Sequence, residues 1–229
     1  SQWTAIPVVG NHEFGKILSE NTQKLSLQWR PQFTLPVEKS LDEKLHETVY
    51  SINYQDILII VLNSSEMLEQ QTAYVEKKLM ESDAKWKIIT CHHSVFSPAP
   101  GRDFEYGRKF WKPLFDKYRV DLILSGHDHT YSRTGLVDVS NLKNVPTGYQ
   151  QAYDPEIGTV NVVSVSGPKM YEITKGKYAK TFGENKQLYQ IIDIDNDTMR
   201  FRAFTATGEI HDEFILKKVP GKPNLLIEN

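Results

Sequence analysis

Short apolar runs bounded by turn residues recur along the first part of the chain, and three of them lead into a histidine-bearing loop. Ala5 to Val9 is apolar and ends at Gly10, a pattern that predicts a buried strand delivering a loop. Between Phe14 and Leu45 the pattern is mixed and broken by Pro31 and Pro36, which predicts a helical piece near Ile17 to Leu27 followed by an irregular insert. Glu47 to Tyr54 and Ile57 to Leu62 read as two strands around a tight turn at Gln55-Asp56, the second apolar throughout as in a strand buried on both faces. Leu68, Thr72, Val75 and Leu79 repeat at helical spacing, so a helix between Glu69 and Ser82 should lay one face on a sheet. Lys87 to Cys91 is the next strand. Arg108 to Tyr118 is a helix that Pro113 should bend or start late, and Val120 to Leu124 is a further strand.

Beyond Arg133 the character changes from alternating strands and helices to strands alone. Tyr131 to Val139, Thr159 to Val165, Leu188 to Ile194, Met199 to Thr205 and Glu209 to Lys217 are strand-like, with a hairpin turn expected at Asp195-Asn196-Asp197. Pro220 to Asn229 reads as a loose tail. The order of elements is that of an α/β fold, with functional loops at strand ends.

Composition narrows the classes. At 229 residues and 39% hydrophobic, the chain suits one globular domain with a sizeable core. A formal net charge of −2 leaves no basic excess for nucleic acid or an anionic membrane surface. A single cysteine, Cys91, excludes an internal disulfide, and no apolar run approaches the roughly 20 residues that span a bilayer. The chain opens at Ser1 and enters an apolar run almost at once, which reads as an interior start.

The candidate chemistry lies in Gly10-Asn11-His12-Glu13, Cys91-His92-His93-Ser94 and Gly126-His127-Asp128-His129. Neutral imidazole and amide oxygen suit transition metals, and three such motifs at strand ends point to a metal site more than to polar surface loops. His127 and His129, two apart, can address two metals from a loop; Gly126 supplies the turn, and Asp128 points away as an acceptor behind them. Asn11 offers its side-chain oxygen, and His12 is placed as a proton donor. Glu13 either orients His12 from a helix start or has a catalytic duty of its own. Only one of His92 and His93 is an easy ligand if the strand persists, and His92 is the choice; His93 then faces substrate or packs against a neighbouring loop. Cys91 reads as a small buried hydrophobe, His46 and His211 as surface residues. Tyr131 and Arg133 are candidates for touching an anionic substrate, with a structural role in the following strand the competing reading.

On these motifs the chain resembles the calcineurin-like metallophosphoesterase superfamily, and within it the bacterial phosphohydrolases similar to purple acid phosphatases. The matching residues are the first motif, His92 to Ser97, Gly126 to Arg133, and later Ser166-Gly167-Pro168-Lys169-Met170-Tyr171. The resemblance implies an α/β sandwich of two mixed β-sheets flanked by helices, and metal-dependent hydrolysis of phosphoesters, monoesters favoured. It further implies two transition metals (Fe, Zn or Mn), with Asn11, His92 and His127 on one, His129 on the other, and a metal-bridging hydroxide attacking phosphorus in line. By the same resemblance His12 contacts the phosphate or protonates the leaving alkoxide; His93, if it faces substrate, is the second catalytic candidate. The family's Asp-x-His and Gly-Asp motifs, which carry the bridging carboxylate, are absent from this sequence. Residues 1–218 are therefore expected to be a catalytic domain lacking its leading part and 219–229 a loose tail. Such a chain would hold half a site, bind one metal or none, and offer an apolar edge near Ala5 to Val9 through which it could self-associate. Substrate is expected to be a small phosphoester, with no nucleic-acid or membrane partner, and the family favours an exported protein. The other reading is a non-catalytic binding or structural domain that keeps relic motifs.

Overall fold

The computed structural model describes residues 5–17, 22–138, 157–174 and 179–228. A hairpin of β1 (Phe14–Ile17) and β2 (Thr22–Leu25) leads into the short helix α1 (Trp29–Gln32). Then come β3 (Tyr50–Tyr54), β4 (Ile57–Leu62), α2 (Thr72–Glu81), β5 (Trp86–Cys91), α3 (Glu105–Phe110), α4 (Lys112–Lys117), β6 (Leu122–Ser125), β7 (Tyr131–Val137), β8 (Thr159–Val163) and β9 (Ala179–Gly183). The chain closes with β10 (Leu188–Asp195), β11 (Thr198–Thr205), β12 (Ile210–Lys217) and β13 (Leu225–Glu228).

Seven strands form one mixed sheet in the order β3-β4-β5-β6-β8-β7-β9, parallel through β4, β5, β6 and β8. The last four form an antiparallel meander. Successive side chains on a strand point to opposite faces, and the apolar runs exploit both. Leu58, Ile60, Ile89 and Ile123 join Val75 and Leu79 of α2 and Phe115 of α4 in one core. Ile88, Leu122, Val160 and Val162 meet Met199, Phe201, Phe214 and Leu216 of the meander in another. Continuous Val/Ile/Leu runs on β4, β5 and β6 are thus what a sheet covered on both faces requires. The result is the α/β sandwich that the resemblance implied, with helices on one face of the large sheet and the small sheet on the other.

Most expected elements are found within a residue or two. The β3–β4 turn carries Gln55 at φ 52°, and the β10–β11 turn carries Asn196 at φ 49°, the left-handed conformation that tight hairpins demand. Pro113 sits at the start of α4, splitting the expected 108–118 helix into α3 and α4. Val139, the last residue of one expected strand, lies outside the described residues.

Three expectations need correction. Ala5 to Val9 joins no ladder among the described residues. Pro7 has no N–H to give a ladder, and the segment is held instead by the Tyr50 hydroxyl donating to the Pro7 carbonyl (2.6 Å) and by Val9 packing on Phe14 and Trp29. Ile6 lines an apolar cavity of about 340 Å³ with Ile57, Ile59, Ile88, Ile192 and Ile194. Of the helix expected near Ile17 to Leu27, residues 18–21 lie outside the described residues; Ile17 ends β1 and 22–25 form β2, with Phe14 paired to Leu25, and Leu27, needed for an apolar helical stripe, is 93% exposed. The expected loose tail ends in β13, paired with β12.

A buried ion cluster explains that tail. Arg133 donates from Nε and Nη2 to the two oxygens of Asp212 (2.7 and 3.0 Å) and from Nη1 to Glu228 of β13 (2.6 Å). Tyr131 donates its hydroxyl to the same Asp212 (2.6 Å). Arg133 and Tyr131 are buried, so the cluster joins β7 of the large sheet to β12 and β13 of the small one. These contacts support the competing structural role for Tyr131 and Arg133, whose polar heads are held in the core. Replacing Asp212 with Ala would leave a buried guanidinium and phenol unpaired. It is expected to cost about 3–5 kcal/mol in urea unfolding, where a loss below about 1 kcal/mol would show the cluster to be dispensable.

Candidate metal centre

Parallel strands β5 and β6 run in register from Ile88 opposite Leu122 to Thr90 opposite Leu124. Carrying that register past the strand ends sets His92 beside Gly126, and the Gly126 amide donates to the His92 carbonyl (3.0 Å). The second and third motifs therefore leave the sheet side by side at the C-terminal edge, where ligand sites in α/β folds gather. The first motif arrives from the other side as a single 3-10 turn, Asn11–Glu13. Its anchor is Glu13, whose carboxylate accepts the Gly10 amide (2.8 Å). A Cβ at residue 10 would sit 2.9 Å from His92 Nδ1, so glycine is needed there for close approach; its φ of −109° is ordinary.

Three donor atoms converge. Asn11 Oδ1 lies 2.7 Å from His92 Nε2 and 3.1 Å from His127 Nδ1, and the two nitrogens are 3.0 Å apart. Ligands about 2.1 Å from one ion and at right angles to each other stand about 3 Å apart, so this triangle has the dimensions of one face of a coordination shell. Burial is the main cause that lowers His92 to about 4 and His127 to about 3; the neighbouring His93 follows in both. Both rings are therefore neutral at ordinary pH, with lone pairs to give. Among the described residues no three His, Cys, Asp or Glu side chains gather to hold a metal; the third donor here is an amide. The donor set thus fits part of the shell of one ion and brings no carboxylate.

The glycine expected to make the turn at Gly126 does not do so. The left-handed residues are His127 (φ 68°) and His129 (φ 51°), uncommon for side chains that are not glycine, and it is this twist that sends the two imidazoles apart. His127 turns inward to the triangle. His129 donates from Nδ1 to the Lys169 carbonyl (3.0 Å) and stacks on Tyr171 (4.7 Å between centroids), which leaves Nε2 as its free lone pair. Asp128 is fully buried, and burial pushes its carboxyl up to about 7 against the opposing pull of Ser97 and Arg102. His12 is exposed, within electrostatic reach of His92 and His129.

Because β5 ends at Cys91, the alternation that would separate His92 from His93 stops. Both rings reach His127, with centroids 4.9 Å away for His92 and 4.1 Å for His93, and Phe104 covers the His93 ring at 5.3 Å. Cys91 is buried and its thiol is pushed up to about 12, so it stays a packing residue. His46 and His211 stand apart from the cluster; His211 is half-buried against the Tyr131 ring, not on the surface.

Two groups had no local signal. Arg102, on the loop before α3, donates to Asp128 Oδ1 (3.4 Å) and to the His127 carbonyl (3.0 Å), faces His127 Nε2, and lies 4.8 Å over the Tyr171 ring. It is a cation set against the donor triangle by a buried carboxylate. Ser64, at the end of β4, meets His93. Neither residue sits in a histidine motif, and only the packing of distant loops brings them in.

The sequence profile of the calcineurin-like phosphoesterases matches residues 2–131. The chain belongs to this family. Purple acid phosphatase 1 of Ipomoea batatas is 26% identical over 211 residues, covering 86% of this chain and 43% of that protein. Among solved structures, a purple acid phosphatase from yellow lupin (Lupinus luteus) seeds has a TM-score of 0.64 at 20% identity over 81% of this chain and 34% of its own. GAP50, the anchor in the inner membrane complex of Plasmodium, has a TM-score of 0.53 at 14% identity over 80% of this chain and 55% of its own. These likenesses show the fold, and the chain spans less than half the length of both phosphatases.

The lowered imidazoles have a consequence for the metal-free family member. His92, His93 and His127 each take up a proton less readily folded than unfolded, so their contribution to stability is complete above the ordinary value of 6.5 and is lost as pH falls through about 4 for His92 and His93 and about 3 for His127. The urea midpoint should drop between about pH 7.5 and about pH 5, and drop less in a His92→Asn/His127→Asn double variant. Equal drops in both would place the acid sensitivity elsewhere.

Proposed function

We propose that this chain carries part of a binuclear metal site for the hydrolysis of small phosphoesters, monoesters favoured. The observation that carries the reading is the triangle of Asn11 Oδ1, His92 Nε2 and His127 Nδ1, three neutral donors from three separate loops within 2.7–3.1 Å of one another. Asn11, His92 and His127 would hold one ion and His129, through Nε2, would address a second. A transition metal there supplies Lewis-acid polarisation of the phosphoryl group and activation of water. Iron, zinc and manganese all accept this donor set.

The chain's own groups do the rest. Glu13 holds the Asn11 turn against His92. Arg102 offers N–H donors and positive charge where a phosphate dianion would meet the triangle. His93, beside His127, hydrogen-bonds the phosphoryl oxygens, and exposed His12 hands a proton to the departing alkoxide oxygen. The substrate is a small molecule, in keeping with a net charge of −2 that offers nothing to nucleic acid. No helix among the described residues is long and apolar enough to cross a membrane. Export is the location we favour, by kinship with the purple acid phosphatases.

A second reading rests on the absence of a carboxylate from the donor triangle. With only neutral ligands an ion's charge is not offset, and affinity falls. The fold is also shared with a protein described as an anchor, so a binding or scaffolding domain that keeps these loops is the alternative. Self-association through the apolar cavity around Ile6 would fit either reading.

In the full-length protein, His127→Ala and His129→Ala are each expected to lower metal-dependent turnover of p-nitrophenyl phosphate by more than about a hundredfold. Unchanged turnover in both would sink the hydrolase reading. Elemental analysis of the same protein separates the two: metal in stoichiometric amount supports the enzyme, and none supports the scaffold.

A further inference from the structure

The loop before α3 supplies no donor to the triangle, yet it is braced along its length. Its Pro98 carbonyl accepts the Thr174 amide (2.7 Å), and the Arg102 amide closes a turn on the Ala99 carbonyl (3.3 Å) through Gly101 at φ 71°. Asp103, the next residue, accepts from Nη2 of Arg108 (2.6 Å); Arg108 is itself buried and donates from Nη1 to the Val95 carbonyl (2.9 Å). A loop tied in this way loses little further entropy when a side chain it carries takes up a ligand. The side chain it carries toward the histidines is Arg102.

One edge of the Arg102 guanidinium is already bound. Nε donates to Asp128 Oδ1 (3.4 Å) and Nη2 to the His127 carbonyl (3.0 Å), while the Tyr171 ring lies 4.8 Å from the central carbon. Tyr171 is held in turn by its amide, which donates to the His129 carbonyl (3.2 Å). Nη1 meets no acceptor among the described residues, and the Arg102 side chain is 26% exposed although Asp128 behind it is fully buried. Its charge is within electrostatic reach of His92, His93, His127 and His129 alike. A fixed guanidinium with an open N–H group is suited to a phosphoryl oxygen.

Which phosphoester it suits follows from the number of such oxygens. A monoester has three non-bridging oxygens, whereas a diester gives one of them up to a second ester link, whose oxygen is uncharged and a poor acceptor. We propose that Arg102 selects monoesters over diesters: Nη1 pairs with the non-bridging oxygen that a diester lacks, and Asp128 and Tyr171 hold the guanidinium in place for it. A site built to hydrogen-bond a group turns away the analogue without it, because the donor is then left without a partner. The inference rests on the hydrolase reading of the triangle and adds to it the residue that reads the substrate.

Two measurements on the full-length protein test it, with metal content checked in each variant. Arg102→Met should lower kcat/KM for p-nitrophenyl phosphate about a hundredfold, and at least about tenfold more than for bis(p-nitrophenyl) phosphate. Arg102→Lys, which keeps the charge but not the planar fork, should fall in the same selective sense by about tenfold and carries the test if Arg102→Met loses metal. Equal falls on the two substrates would make Arg102 a structural support and overturn the proposal, as would no fall. By isothermal titration calorimetry the wild type should bind inorganic phosphate more than about tenfold tighter than dimethyl phosphate, and the substitutions should close most of that gap. Equal affinities in the wild type, or a gap that the substitutions leave unchanged, overturn it. If the wild type hydrolyses neither ester the hydrolase reading fails, while the two affinities still decide whether Arg102 reads the third oxygen.

Discussion

The parallel pairing of β5 with β6 is the constraint on which everything else in this molecule depends. Its register, Thr90 opposite Leu124, decides that His92 and Gly126 leave the sheet together, so that His127 turns back onto His92 and not onto a neighbour one residue away. A slip of one residue would exchange the two faces of each strand, moving Ile89 and Ile123 out of the helix-side core and Ile88 and Leu122 out of the core shared with the small sheet. The cost of that exchange in buried apolar surface is what keeps the donor atoms within hydrogen-bond distance of each other. Site geometry is here a by-product of core packing.

That dependence explains which features could be read from residues alone. Strands β4, β5 and β6 were legible because apolar runs of this length, buried on both faces, have little alternative. The histidines at their ends were legible because the chemistry needs particular side chains at strand termini. Ala5 to Val9 misled for a local reason, Pro7, and for a non-local one, since a strand is defined by a partner and not by its own pattern. Leu27 misled in the opposite sense: it completes a helical repeat on paper but faces solvent. The tail at Leu225 to Glu228 pairs with β12 and is tied at Glu228 to Arg133, almost a hundred residues earlier in the chain, a contact that no local pattern announces.

The site divides in the same way. Asn11, His92, His127 and His129 announce themselves by residue type, whereas the groups that orient them do not. Arg102 is one of many cations in the sequence, and Ser64 one of many serines; each gains meaning from a contact with a loop distant in sequence, 25 residues from Arg102 to His127 and 29 from Ser64 to His93. Asp128 shows both halves of the lesson. Its place between two histidines suggested an acceptor behind them; the side chain is buried there, and the donors it meets are Ser97 and Arg102.

The left-handed backbone at His127 and His129 also bears on how this loop can change over generations. Asparagine, aspartate and glycine occupy that conformation at little cost, whereas valine, isoleucine and threonine are strained in it. A lineage released from the need for imidazole at these positions would therefore drift first to asparagine or glycine, keeping the loop's path while emptying it of nitrogen donors. The fold can outlive the chemistry at this point without rebuilding a single strand, and the residue found at positions 127 and 129 in a relative is a record of which of the two it kept.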